Sequence, residues 1–152
     1  MKLKAKNGSK SSIVKGLEKV LADTYTLHLK TLNYHWNVTG PMFTTLHQTF
    51  EEQYKELGSA VDSLAERIRA LSYRAPGSYA EFAKLTIISE ALGRVSALEM
   101  IVDLLKSHLE IVDRLKESLS LSEGVDPASS DLLVERIAHH EKTAWMLRSL
   151  TD

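Results

Sequence analysis

Apolar side chains recur along most of this chain at three- and four-residue steps, the spacing of one helical face. Ile13, Leu17, Val20, Leu21, Leu27, Leu32 and then His35 follow it, with no Pro or Gly between Gly16 and Gly40. Thr39-Gly40-Pro41 ends this first helix, because proline restricts the residue before it and cannot donate into a continuing ladder. A second stripe runs through Leu46, Phe50, Tyr54, Leu57, Val61, Leu64, Ile68 and Leu71. Its start lies at Thr45, which with Gln48 has capping-box form, or near Phe43. Tyr73 to Ser78, with Pro76-Gly77, breaks it. Ser78 with Glu81 opens a short helical turn around Phe82. A long third helix is expected from Thr86 to about Leu119, with Ile88, Leu92, Val95, Leu98, Val102, Leu105, Leu109, Val112 and Leu115 inward. Asp126-Pro127 suits an N-cap and first-turn proline for a fourth helix through Leu133, Ile137, Ala144 and Leu147. No segment alternates as a strand does.

The expected class is therefore all-α, four long helices in two hairpins, with a link of about 14 residues between the second and third. Fully extended, that link reaches about 45 Å at ~3.3 Å per residue, whereas a 27-residue helix is about 40 Å long. It can run the length of a bundle and let helices two and three lie parallel, giving a one-crossover bundle. Up-down topology satisfies the same arithmetic.

Composition changes this picture little. The 152 residues suit one domain, 43% are hydrophobic and 26% charged, and the net charge is −1. That balance argues against a wholly basic nucleic-acid binder. The charge is uneven, however: Lys2, Lys4, Lys6 and Lys10 precede the first acid, Glu18. Residues 1–10 are expected to form a flexible basic tail and 11–152 the bundle. The absence of cysteine excludes disulfides, thiolate metal sites and a catalytic thiol. No apolar run suits a secretory signal or a membrane span, so the expectation is a cytoplasmic protein with no membrane partner.

The chemistry concentrates between His35 and Glu66. His47, Glu51, Asp62 and Glu66 share one side of a helix turning 100° per residue. Along its axis His47 and Asp62 stand about 22 Å apart, far beyond metal–ligand bonds of about 2.0–2.2 Å. One straight helix therefore carries two half-sites. His35 and His47, with Glu51, converge if the first hairpin folds back at Gly40-Pro41; Asp62 and Glu66 form the other half. Two-fold antiparallel packing against a second copy, with its axis near residues 55–57 and Gly58 beside it, brings each half onto its complement and creates two identical sites. Two histidines with two or three carboxylates suit Fe(II), Mn or Zn.

At these residues the chain resembles the Dps family, the ferritin-like mini-ferritins called DNA-binding proteins from starved cells. The likeness rests on Asn33-Tyr34-His35-Trp36-Asn37, Gly40-Pro41, Phe43, Leu46-His47, Phe50-Glu51, Tyr54, Asp62 and Ala65-Glu66-Arg67. The family's pattern, His, a second His twelve on, Asp fifteen after that and Glu four further, is reproduced by His35, His47, Asp62 and Glu66. The resemblance implies a ferritin-like four-helix bundle with one long crossover carrying a short helix, assembled from two-fold dimers into a hollow dodecamer. It implies ferroxidase centres at the dimer interface, where iron(II) is oxidised by hydrogen peroxide or oxygen and the ferric product is stored. His35 and His47 would come from one chain, Asp62 and Glu66 from its partner, with Glu51 helping a second iron site and zinc or manganese as substitutes. Trp36 matches a tryptophan that intercepts stray oxidising equivalents, or simply packs. Asp126 and Asp131 fall where relatives line an acidic iron-entry pore, or else serve as an N-cap and a first-turn acid.

Other clusters carry less. Glu52 and Glu56 face either a cavity or solvent. Asp131, Glu135 and His139, followed by His140-Glu141, form a rival metal pattern that ordinary surface pairs also produce. His28 lies two turns before His35, and His108 shows no partner pattern. Three functions follow: an iron(II) oxidase and store; a nucleoid-compacting DNA binder with a vestigial metal site; or a di-metal oxidase of an organic substrate, disfavoured because no Glu-x-x-His pair is present. Twelve lysine tails would multiply phosphate contacts. Replacing Lys2, Lys4, Lys6 and Lys10 together by Ala is expected to abolish any low-salt gel shift with duplex DNA; a shift that persists would exclude the tail as its cause.

Overall fold

The computed structural model describes residues 2–152, with the backbone alone for residues 2–8. It holds helices α1 (Lys2–Asn37), α2 (Phe43–Ala70), α3 (Tyr79–Leu85), α4 (Ala97–Ser122) and α5 (Pro127–Ser149), and no strand among these residues. Opposing contacts give the directions. On α1, Asp23 and Lys30 meet Arg114 and Asp103 of α4, so those helices are antiparallel. Glu56 and Arg67 of α2 meet Arg136 of α5 and Asp126 just before its first turn, again antiparallel. Since α1 and α2 form one hairpin and α4 and α5 another, α2 and α4 run parallel. The topology is the one-crossover, ferritin-like bundle, with the short α3 carried on the crossover.

The backbone of residues 2–10 continues α1 without a break. Once Ile13 to Leu21 anchor a helix, each further residue gains a hydrogen bond without a new nucleation cost, and Ala5 and the lysines are good helix formers. The side chains of Lys2, Lys4 and Lys6 lie outside the described residues. Lys10 places its ammonium 6.0 Å above the Tyr73 ring, engaged on the protein's own surface.

α2 starts at Phe43 with Met42 as N-cap, so Thr45 and Gln48 do not form the cap. The larger correction concerns the third helix. Residues 86–96 are not helical, and α4 begins only at Ala97. Ser96 and Glu99 form a full capping box, each side chain bonded to the other's backbone N–H. The crossover upstream is pinned instead by two buried polar brackets. Asp23 accepts from the Thr86 hydroxyl (2.8 Å) and the Ile87 N–H (2.9 Å), and pairs with Arg114 (3.1 Å), which also donates to the Leu85 carbonyl. Burial pushes the Asp23 carboxyl up, with these donors opposing the shift. Tyr34 donates to Asp103 (2.6 Å) and accepts from the Leu92 N–H (2.9 Å), while the fully buried Lys30 pairs with Asp103 at 3.0 Å. These bonds satisfy crossover backbone groups that a helix would have satisfied internally.

With the start moved, the α4 face moves too. Met100, Ile101, Leu104, Ile111, Val112 and Leu115 are buried, whereas Leu98, Val102 and Leu109 are exposed. α4 carries apolar residues on two stripes, and periodicity alone does not say which one faces inward. At Gly16 the backbone of α1 passes so close to α4 that an added Cβ would sit 2.6 Å from the Ser118 hydroxyl oxygen. No helix among the described residues is long and apolar enough to cross a membrane.

His108, for which the sequence shows no partner pattern, meets His140 of α5 through Nδ1–Nδ1 at 2.9 Å. Arg136 donates to His140 Nε2 at 3.3 Å, and since arginine can only donate, the His140 proton sits on Nδ1. His140 therefore donates to His108, whose proton lies on Nε2, buried with no partner. Burial, reinforced by the Arg136 charge, pushes His108 down to about 3; burial, His108 and Arg136 also push His140 well below its usual value. Both rings are neutral in the fold and take up protons on unfolding. Stability from this pair is therefore fully present above pH 6.5, the value for a free imidazole, and is lost as pH falls toward about 3. Urea unfolding midpoints measured from pH 7 to 4 should fall steadily, and more steeply than in a His108→Leu variant; equal slopes would contradict this.

Candidate metal centre

The α1/α2 hairpin brings His35 and His47 together. Val38 closes the last turn of α1 onto the Tyr34 carbonyl, Gly40 turns the chain at φ +103°, and Phe43 donates to the Gly40 carbonyl as α2 begins. The imidazoles stack with centroids 3.8 Å apart and planes 14° from parallel. Each ring donates from Nδ1 to the other residue's backbone carbonyl: His35 to His47 at 2.7 Å and His47 to His35 at 2.8 Å. The carbonyls can only accept, so both rings are Nδ1–H tautomers and both Nε2 lone pairs are uncommitted. A metal-binding histidine is normally oriented in this way, by a bond from its other nitrogen to a carbonyl or carboxylate. Phe43 stacks on the outer face of His47 at 5.0 Å and Tyr54 meets His35 edge-on at 5.1 Å. His35 is buried and His47 half-buried.

The carboxylates do not join them within the chain. α2 is unbroken from Phe43 to Ala70, so Asp62 and Glu66 stay about 22 Å or more from His47 along its axis. Both are exposed and neither forms an ion pair among the described residues. Glu51 reaches Lys55 of its own helix at 3.4 Å rather than the histidines. Among the described residues no group of three or more His, Asp or Glu side chains converges on a metal position. A single protomer thus presents a nitrogen pair and, separately, a carboxylate pair.

The other candidates fall elsewhere. Asp126 is the positional N-cap of α5, but its carboxylate makes no cap bond and pairs with Arg67 at 2.9 Å. Partial burial raises its pKa, yet Ser129 and Arg67 outweigh that and hold it below the usual carboxylate range. Asp131 is exposed. Glu56, partly exposed, binds Arg136 and lies 3.6 Å from His139. Glu52 is exposed. The rival pattern on α5 is split, since His140 turns inward to His108 while Asp131, Glu135 and His139 are exposed. Trp36 is exposed at 63%.

Two features of the seam escaped the sequence reading. His28 donates Nδ1 to the Tyr54 carbonyl at 2.8 Å, repeating the His35-to-His47 contact seven residues down each helix. Gly58 makes room for this ring, because a Cβ there would lie 3.2 Å from His28 Cε1. The heptad interval between His28 and His35, matched by that between His47 and Tyr54, was the available signal.

Comparisons agree with this architecture. A family model described as a ferritin-like domain matches residues 14–152. The chain is 37% identical over 146 residues, 94% of its length and 82% of the relative's, to an uncharacterized low temperature-induced protein of Nostoc sp.. It is 35% identical over 141 residues to DNA protection during starvation protein 2 of Bacillus anthracis, covering 92% of this chain and 97% of that one. The crystal structure of a Dps protein from Vibrio cholerae, titled a member of a broad superfamily of ferritin-like diiron-carboxylate proteins, superposes with a TM-score of 0.91 at 29% identity, covering 95% and 92% of the two chains.

The tautomers are directly testable. Two-dimensional ¹H–¹⁵N spectra of the metal-free protein should show His35 and His47 protonated at Nδ1 with Nε2 bare; an Nε2–H signal from either ring would break the proposed donor geometry.

Proposed function

The chain belongs to the Dps family of ferritin-like proteins, and from that premise we propose that it oxidises iron(II) at a site shared by two subunits and stores the ferric product in a dodecameric cage. One observation carries the reading: the reciprocal Nδ1–carbonyl lock between two stacked imidazoles, which leaves Nε2 free on both His35 and His47. In the two-fold packing, the unpaired Asp62 and Glu66 of a second copy complete the donor set. Two imidazoles with two carboxylates suit Fe(II), and zinc or manganese would occupy the same donors in its place. Glu51, tied only to an exposed lysine, is available to a second, weaker iron.

The residues do distinct work. The imidazoles hold Fe(II) as neutral donors, while the carboxylates favour Fe(III) and so pull the oxidation forward. Two Fe(II) supply the two electrons that hydrogen peroxide needs; with two protons, two waters and two Fe(III) result, and no hydroxyl radical is released. Oxygen is the alternative oxidant. Iron entry falls to Asp131 rather than Asp126, whose charge is already neutralised by Arg67. A bacterial cytoplasmic setting fits protection against peroxide.

Anaerobic loading with Fe(II), followed by limiting peroxide, should give ferric absorbance at about one peroxide per two iron, with iron retained by the assembly. His35→Ala with His47→Ala should slow oxidation by at least about tenfold while leaving the oligomer's mass unchanged. Undiminished oxidation in that variant would remove the histidine pair from the chemistry.

A further inference from the structure

The His35/His47 pair is one end of a line of touching rings. His35 meets Tyr54 at 5.1 Å between centroids, Tyr54 meets His28 at 6.1 Å, His28 meets Tyr25 at 6.2 Å, and Tyr25 meets Tyr79 at 6.4 Å. The line follows from the heptad repeat of the seam: Tyr54 stands one heptad below His47, as His28 stands one heptad below His35. The site end is buried, and the far end is open, with Tyr79 76% exposed. Tyr25 and Tyr79 both line a cavity of about 820 Å³ between α1 and the crossover. Phe82 holds Tyr25 from its other side at 4.9 Å. Burial, and then the Tyr79 hydroxyl beside it, push the Tyr25 phenol up. Among the described residues no ring contact joins Trp36 to the histidine pair, so the oxidisable ring touching the site is Tyr54.

We propose that Tyr54 is a one-electron donor to the metal centre, and that Tyr25 and then Tyr79 refill it across the His28 ring, carrying the oxidising equivalent to the surface. This rests on the iron(II)-oxidising reading of the site. The need arises when only one Fe(II) is bound, because hydrogen peroxide requires two electrons. Its O–O bond breaks as Fe(II) gives one electron and becomes Fe(III). The Tyr54 phenol gives the other and becomes a phenoxyl radical. The phenolic proton and one solvent proton complete two waters: H2O2 + Fe(II) + TyrOH + H⁺ gives Fe(III) + TyrO• + 2 H2O. An electron from Tyr25 then restores Tyr54, and one from Tyr79 restores Tyr25, each donor passing its proton outward as the phenoxyl behind it is reprotonated.

The test loads the assembled protein anaerobically with one Fe(II) per histidine pair, adds one equivalent of hydrogen peroxide and freeze-quenches for EPR. A radical whose hyperfine pattern narrows with ring-deuterated tyrosine is expected. Tyr54→Phe should lower its yield by about tenfold. Tyr25→Phe should leave the early radical but reduce oxidation products at Tyr79, read by mass spectrometry, by a similar factor. Both variants should still oxidise a two-iron load within about twofold of the parent rate. A radical indifferent to Tyr54→Phe, or one insensitive to tyrosine deuteration, overturns the relay while intact two-iron oxidation preserves the reading of the site. Loss of two-iron oxidation in the parent protein overturns both. If Tyr54→Phe does not assemble, Tyr25→Phe decides, and undiminished Tyr79 oxidation there overturns the relay.

Discussion

The seam between α1 and α2 is the constraint on which the rest depends. Its register is set by histidines of α1 donating to carbonyls of α2, at His35–His47 and again at His28–Tyr54. These carbonyls already serve the helix ladder of α2, so a second, side-chain donor reaches them only where two helices lie close. Leu17, Leu21, Leu27, Leu46, Phe50, Leu57 and Leu64, all fully buried, supply that closeness. Burial of apolar surface holds the helices together; the histidine bonds choose their register and, with it, the direction of the Nε2 lone pairs of His35 and His47.

The same helix α1 organises the far side of the molecule with charge. Asp23, Lys30 and Tyr34 are buried against α4, and each also holds part of the crossover. A lysine with a fully buried side chain is costly unless paired, and breaking such a pair by removing one partner costs on the order of 3–5 kcal/mol. The arrangement specifies one path for a connection of some length, residues 71–96, that carries only the short α3. That path places Tyr79 beside Tyr25, and so couples the crossover to the ring contacts along α1.

Where sequence reasoning succeeded and where it failed has a common cause. The faces of α1 and α2 were legible, because each has a single apolar stripe: Ile13, Leu17, Val20, Leu21 and Leu27 on α1 and Leu46, Phe50, Leu57, Leu64 and Ile68 on α2 are buried as expected, with Leu32, Tyr54 and Val61 partly so. The face of α4 was not, since Leu98, Val102 and Leu109 repeat as regularly as Ile101, Leu104 and Ile111, and only packing separates them. The start of α4 was missed because Ile88, Leu92 and Val95 extend the helical period upstream. A bond from Leu92 to Tyr34 and one from Ile87 to Asp23 satisfy that backbone in another way. His108 and His140 lie 32 positions apart in sequence, and no local pattern announces a pair that exists only between two packed helices.

The sequence by itself determined that His47 and Asp62 cannot share an ion within one chain, because helical rise is a local property and α2 contains no breaker. It determined equally that His35 and His47 flank a turn, because Gly40-Pro41 forces one. What tertiary structure alone decided is the state of those side chains. Stacking of the two imidazoles, the proton on each Nδ1 and the bare Nε2 depend on the distance between two helix axes, which apolar packing along the whole seam sets. The placement of Tyr54 against His35 has the same origin, for a heptad interval becomes a contact only once the helices are in register.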